Sequence, residues 1–284
     1  MKLGVAGLLG DGSPDAVRRV RALGFTAASW MPASLDMVRD TAALDAVRDA
    51  LAREDMELCQ LLPPQYPSLV HPDAAVRAAG IEAMTEVLRA GVRLGAGNVY
   101  VRPGSLNARG PWTPHPDNHL AETRTRLVES LRALCTRAEE IGIRVAVEGH
   151  AVSPLDTPEV VRDVADRVGS AALGFNADPV NFVRNLDQAY RNSDLIRELF
   201  DLLGPITLCG HAKDVTTEDR LVVHVAECVP GQGYLDHELF LQRFAACCPG
   251  GVVLIEHLPA ERVPEARRAL LEFADRAGVS FQEG

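Results

Sequence analysis

Four residues of this 284-residue chain could share one piece of chemistry: Glu148, Asp178, His211 and Glu256. Each closes a short apolar run. Arg144-Val-Ala-Val leads into Glu148, Leu173-Gly-Phe-Asn-Ala into Asp178, Leu208-Cys-Gly into His211, and Val253-Leu-Ile into Glu256. Runs of this kind read as buried strands, so each ionisable group stands at a strand end. Taken singly, a strand-end Glu is ordinarily exposed or paired, and a lone His is ordinarily structural. Recurrence at the same end of four consecutive strands is what points to a site. Three carboxylates packed together would repel one another and raise each other's pKa. A divalent cation removes that conflict. Three oxygen ligands, one imidazole and no thiolate suit one divalent ion, Mn2+ foremost, with Mg2+, Co2+, Fe2+ or Zn2+ as further options.

The elements that must position these residues alternate along the whole chain. Strand-like runs fall at Leu3–Leu8, Phe25–Trp30, Glu57–Leu62, Asn98–Arg102, Arg144–Glu148, Ala172–Asn176, Ile206–Cys209 and Val252–Ile255. Helical patterns lie between them, at Pro14–Leu23, Ala43–Glu54, Asp73–Leu94, His119–Ile141, Pro158–Val168, Asp187–Leu203 and His237–Cys247, with a closing helix at Pro264–Ala277. Ser13-Pro14 and Thr157-Pro158 place a capping side chain before a proline suited to a first helical turn. Gly24, Gly142, Gly204 and Gly278 follow helices where a left-handed residue is wanted. Eight strand–helix pairs without a composition break predict an α/β chain forming a single (β/α)8 TIM-barrel domain over residues 1–284. An open doubly wound sheet is the rival. It is disfavoured because Leu8-Leu9-Gly10-Asp11-Gly12 lacks the order of a dinucleotide-binding turn.

Three connections exceed what a barrel needs: Pro63–Pro72 after the third strand, Pro103–Asn118 after the fourth, and Ala212–Asp236 after the seventh. The last holds a further apolar run, Leu221–Val229, read as a small hairpin or added strand. All three lie on the face where barrel sites form, so a partly covered pocket is expected.

Composition narrows the partners. The net charge of −10 disfavours nucleic acid, whose binders cluster Lys and Arg. No apolar run is long enough to cross a membrane, and Met1-Lys-Leu-Gly lacks the pattern of a signal peptide. The six scattered cysteines read as buried, reduced thiols, so a cytoplasmic protein is expected.

The order Glu148, Asp178, His211, Glu256, together with His211-Ala-Lys-Asp214 and Pro230-Gly-Gln-Gly-Tyr-Leu-Asp236, resembles the xylose-isomerase-like TIM barrels. More narrowly, it resembles the sugar phosphate isomerase/epimerase group, which includes ketose 3-epimerases and inosose-processing enzymes. The resemblance spans the chain and is most specific in its second half. It implies that the four residues bind one divalent ion and that Glu148 and Glu256 flank the substrate carbon as an acid/base pair. An ion holding a carbonyl oxygen and the neighbouring hydroxyl acidifies the C–H between them and stabilises the enediolate. The expected activity is isomerisation or epimerisation of a small sugar or cyclic polyol. The alternative is a lyase using the same site, acting as a dehydratase or by β-elimination from a 3-keto-glycoside or keto-inositol.

The chain departs from the ketose 3-epimerase pattern at Asn181, Pro154 and Thr217, where those enzymes carry His, Glu and Arg. A simple ketose 3-epimerase is therefore disfavoured, while Asn181 keeps a substrate-facing position. No Gly-rich phosphate nest follows the last two strands. His150, on the same side of its strand as Glu148, is a candidate substrate contact or a loop cap. Lys213 shares a face with His211 and is a candidate oxyanion donor. Its carboxylate neighbours would raise its pKa, which disfavours an imine mechanism. Arg102 is a candidate contact to an oxygen-rich substrate or a rim salt bridge. Trp30 is a candidate apolar wall or a core residue. Asn176 suits support of the site from below, and His257 alternates to the helix side as a structural residue. A homo-oligomer or a pairing with a partner subunit is open. A DNA-repair endonuclease and a non-catalytic subunit are the remaining rivals, weakened by the net charge and by the intact ligand set respectively.

Overall fold

Strands with two apolar faces must be covered on both sides, and a parallel barrel wrapped by helices supplies that cover. The computed structural model describes residues 1–282, so the last two positions of the expected domain lie outside the described residues. Its strands are β1 (Lys2–Val5), β2 (Ala27–Trp30), β3 (Glu57–Leu61), β4 (Asn98–Val101), β5 (Val145–Val147), β6 (Leu173–Ala177), β7 (Thr207–Ala212), β8 (Asp214–Glu218), β9 (His224–Cys228) and β10 (Val252–Ile255). All but β8 and β9 form one closed parallel barrel, in the order β1-β2-β3-β4-β5-β6-β7-β10 and back to β1. This is a TIM barrel, as the alternation implies. The eighth barrel strand is thus β10, because β8 and β9 form a separate antiparallel hairpin.

The helices are α1 (Pro14–Ala22), α2 (Leu35–Arg39), α3 (Thr41–Arg53), α4 (Ala74–Leu94), α5 (Ala121–Ile141), α6 (Pro158–Val168), α7 (Leu186–Tyr190), α8 (Asn192–Leu203), α9 (His237–Cys247) and α10 (Val263–Arg276). The caps behave as their chemistry demands. Thr157 accepts the Val160 N–H at 3.2 Å, and Ser13 accepts that of Ala16 at 3.3 Å. Gly24 and Gly142 are left-handed after their helices, with φ of 86° and 83°. Gly204 is not. Its φ is −49°, because Pro205 leads the chain into a short 3-10 turn, Gly204–Ile206, instead of a left-handed exit.

Two further readings need correction. The stretch 187–203 is two helices, since Asn192 turns its amide back onto the Ala189 and Tyr234 carbonyls, each at 2.8 Å. In the long insert the expected hairpin forms, but only His224–Cys228 of the Leu221–Val229 run is strand, and Leu221–Val223 is its exposed tip. All six cysteines are free, but only Cys59, Cys135 and Cys209 are buried; the other three are half-buried.

The main core lies between strands and helices. A separate small cluster of Ala6, Ala27, Cys59, Cys209, Val252 and Leu254 sits inside the ring of strands. Above it the interior turns polar, with Ser29, Gln60, Asn98 and Asn176 all at or below 4% exposure.

At the carboxyl end of β5 the chain must turn sharply, and Gly149 permits it. A Cβ there would press into the Phe182 ring and stand 2.8 Å from the Leu155 carbonyl oxygen. That same carbonyl accepts the His150 N–H at 2.9 Å. Gly149→Ala is therefore expected to lower unfolding free energy by about 1–3 kcal/mol, the usual cost of overpacking, as read by urea denaturation. An unchanged midpoint would show that the turn is not close-packed.

Candidate metal centre and the cavity above it

The barrel register brings the four expected residues together. Val147 pairs with Phe175, Ala177 with Gly210, and His211 with Leu254, so the residues at or just beyond these strand ends share one rim. Their ligand atoms all lie within 4.8 Å of one another. His211 Nδ1 is 3.1 Å from Glu148 Oε1, 3.0 Å from Glu256 Oε2 and 3.9 Å from Asp178 Oδ2. Asp178 and His211 are essentially inaccessible, at 0% and 1% exposure.

Beneath them a chain of amides fixes Glu148. Asn98 gives its N–H to the Cys59 carbonyl at 3.1 Å and accepts from Gln60 at 3.0 Å. Gln60 also donates to Asn176 Oδ1 at 3.4 Å, which leaves the Asn176 N–H for Glu148 Oε1 at 2.7 Å. The buried Tyr100 hydroxyl donates to the other oxygen, Oε2. Both oxygens of Glu148 are thus held from the protein side.

Lys213, 4% exposed, lies across the cluster. Its Nζ is 2.7 Å from Asp178 Oδ2, 3.0 Å from Glu256 Oε2 and 3.2 Å from Asn181 Oδ1. Burial alone would lower its pKa, but the carboxylates of Asp178, Glu256 and Glu148 outweigh it and raise it well above the usual lysine value. A Schiff-base role is accordingly disfavoured. Burial pushes Asp178 up to about 6 despite Lys213. Burial also acts to raise Glu148 and Glu256, but His211 and Lys213 outweigh it and hold both below the ordinary carboxylate range.

The donor set fits a divalent ion. Asp178 Oδ1 and both ring nitrogens of His211 are buried without a hydrogen-bond partner among the described residues, although buried polar atoms are nearly always satisfied. Three carboxylates against one ammonium leave two negative charges. A divalent cation with a neutral imidazole closes that balance.

A cavity of about 700 Å3 opens over the cluster. Glu148, Asn181, Lys213 and Glu256 form its polar side, and Met31, Leu62, Val180, Val183, Val215 and Val225 its apolar side. His150 lines it too, with its ring 5.7 Å from that of Trp112. Its Nδ1 accepts the Val152 N–H at 3.2 Å, so it caps its own loop while facing the cavity. Burial, and then the Lys213 charge, lower its pKa.

Two expected residues stand elsewhere in character. Among the described residues, Arg102 forms no salt bridge. Its guanidinium donates to the Pro63 and Pro64 carbonyls at 2.6 and 3.0 Å, tying down the loop after β3 while still lining the cavity. Trp30 does not line the cavity. It is 2% exposed, donates its indole N–H to the Gly10 carbonyl at 3.1 Å, and packs in the core.

His257 corrects the alternation. Its φ of 58° breaks the strand just after Glu256, so the ring turns to the cavity instead of the helices. Nδ1 lies 3.1 Å from both Glu227 oxygens on β9, and Nε2 lies 3.5 Å from Glu256 Oε1. Tyr100 and Glu227 were not anticipated. The alternation of Asn98 and Tyr100 in an otherwise apolar strand was the available signal for Tyr100.

With this geometry in view, the family profile described as Xylose isomerase-like TIM barrel matches residues 17–277, and the chain belongs to that family. Among solved structures it is similar to a D-tagatose 3-epimerase-like protein, at 17% identity and a TM-score of 0.78 over 98% of each chain. A xylose isomerase-like TIM barrel protein of Mycobacterium smegmatis, solved with magnesium, shows 17% identity and a TM-score of 0.76 over 97% of each chain. A 3-keto-D-glucoside 4-epimerase of E. coli shows 18% identity and a TM-score of 0.72, covering 95% of this chain and 98% of that one. At these identities the likeness is one of fold. No curated protein matches by sequence. Among the described residues, no helix is long and apolar enough to cross a membrane.

Removing Lys213 tests the charge balance. Lys213→Met is expected to destabilise the chelator-treated protein by roughly 3–5 kcal/mol, since it leaves buried carboxylates uncompensated. Urea titration with and without added Mn2+ reads this out, with a smaller loss when the ion is present. Equal stability of variant and wild type in chelator would contradict the balance.

Proposed function

We propose that the protein is a divalent-metal-dependent isomerase or epimerase acting on a keto-sugar or a cyclic polyol bearing a ketone. The observation that carries this reading is the convergence of Glu148, Asp178, His211 and Glu256 within 4.8 Å of one another, with Glu148 and Glu256 lining a cavity of about 700 Å3. These four residues would hold the ion. When bound, it supplies Lewis-acid polarisation of the carbonyl and neighbouring hydroxyl oxygens, which acidifies the C–H between them.

The chain's own groups do the rest. Glu256 reaches the cavity edge beside His257 and takes the proton from carbon. Glu148, held by Asn176 and Tyr100 on the other side of the cluster, stands as its acid/base counterpart. Return of the proton to the opposite face of the same carbon inverts it, giving an epimer. Return to the neighbouring carbon moves the carbonyl. Lys213 keeps its proton and donates to the oxygen on which negative charge develops. His150 and Asn181 face the cavity where sugar hydroxyls would lie. The family match and the epimerase-like folds agree with the donor set.

Glu256→Gln is expected to slow proton exchange from substrate into solvent by about 10²–10⁴-fold while the fold is retained. NMR of a panel of ketohexoses and keto-inositols in D2O, with circular dichroism as the folding control, measures it. Exchange at the wild-type rate would remove Glu256 from the chemistry.

A further inference from the structure

The cavity over the carboxylates has a neighbour. Between the loops spanning 63–72 and 103–118 lies a second, more enclosed space of about 280 Å3. Gln65, Arg102, Gly110 and Pro111 line both spaces, so the two meet across a shared wall.

Their chemistry differs. The floor of the first offers charged and hydrogen-bonding groups, namely Glu148, Lys213, Glu256, His150 and Asn181. The second is walled by Tyr66, Leu69, Leu106 and Pro111, and apart from the exposed Gln65 on the shared wall most of its polar side chains are already engaged. Ser68 Oγ donates to the Ser105 carbonyl at 3.3 Å, and Ser105 Oγ to that of Thr113 at 2.7 Å. Asn107 donates to the Pro114 carbonyl at 2.9 Å and accepts the Arg109 N–H at 3.0 Å. The Arg102 guanidinium, bound to the Pro63 and Pro64 carbonyls, lies 5.6 Å from the Tyr66 ring centre. A slot with apolar walls and mostly spent polar groups gains little from a second hydroxylated ring, most of whose hydroxyls would lose water without replacement. It suits an apolar or aromatic group.

We propose that the substrate has two parts: a hydroxyl-rich ring seated over the carboxylates, and an apolar or aryl group carried on it and seated between the two loops. The ligand class is thus a keto-glycoside of an apolar alcohol or phenol. This rests on the function proposed above and names its substrate class. The Gln65 side chain, on the shared wall, is placed to meet the oxygen that joins the two parts.

Calorimetric titration with the phenyl and methyl 3-keto-β-D-glucosides tests the inference. The wild type is expected to bind the phenyl glycoside about tenfold more tightly or better, the modest end of what burying an aromatic ring yields. Ala108→Trp, at an exposed loop position on the second space, is expected to abolish that preference without changing the methyl glycoside. Should that variant fail to fold, Leu106→Asn carries the same test, with the preference reduced. Equal binding of the two glycosides by the wild type, no binding of either, or a preference that survives in the folded variants would overturn the proposal. Metal analysis of the same samples keeps the two readings apart. A wild type that holds its ion yet shows no preference sinks only the two-part substrate, and a wild type without an ion sinks the proposed function.

Discussion

Three carboxylates buried at one rim of a barrel cannot coexist without positive charge, and the surroundings of Glu148, Asp178 and Glu256 are arranged to answer that constraint. Lys213 supplies one positive charge directly, within 3.0 Å of both Asp178 and Glu256. His211 stands between all three carboxylates with both nitrogens unpartnered, as a ligand would. Below, the Asn98–Gln60–Asn176 chain and Tyr100 satisfy Glu148 with neutral donors, so its position is fixed without adding charge. A polar layer inside a barrel is costly, and here the amides of Asn98, Gln60 and Asn176 offset part of that cost by bonding to one another and to Glu148.

The loops above depend on a second buried carboxylate. Asp214 is fully buried and accepts N–H bonds from Val215, Gly231, Gly233 and Leu235, at 2.8 to 3.0 Å, with His237 Nε2 at 3.1 Å. It ties the base of the β8–β9 hairpin to the segment that follows. Burial acts to raise Asp214, and the His237 ring and backbone donors outweigh it. The hairpin thereby holds Val215, Val225 and Glu227 over the cavity, and Glu227 meets His257 beside Glu256. This clamp, next in sequence to Lys213, shapes the roof of the carboxylate cluster.

Much of this was legible in the sequence because strands alternate and barrels align their ends. The β5, β6, β7 and β10 runs are short and apolar, so an ionisable residue closing each one is conspicuous. Legibility failed where the backbone left its regular period. His257 takes a left-handed turn, which reverses the side its ring faces, and no alternation rule anticipates that. Trp30 ends its strand like a site residue, but the turn at Gly10 reaches over and takes its N–H. Arg102 has the right place and charge, yet two proline carbonyls from another loop claim its guanidinium. Those partners are more than 30 residues away in sequence, and only the closed barrel brings them near.

The central claim is that the four rim residues hold a divalent ion. Elemental analysis of protein purified without added metal, beside Glu148→Gln and Glu256→Gln variants of confirmed fold, tests it most directly. The account expects close to one divalent ion per wild-type chain and a marked loss in both variants. A folded wild type with no stoichiometric divalent ion at neutral pH would contradict it.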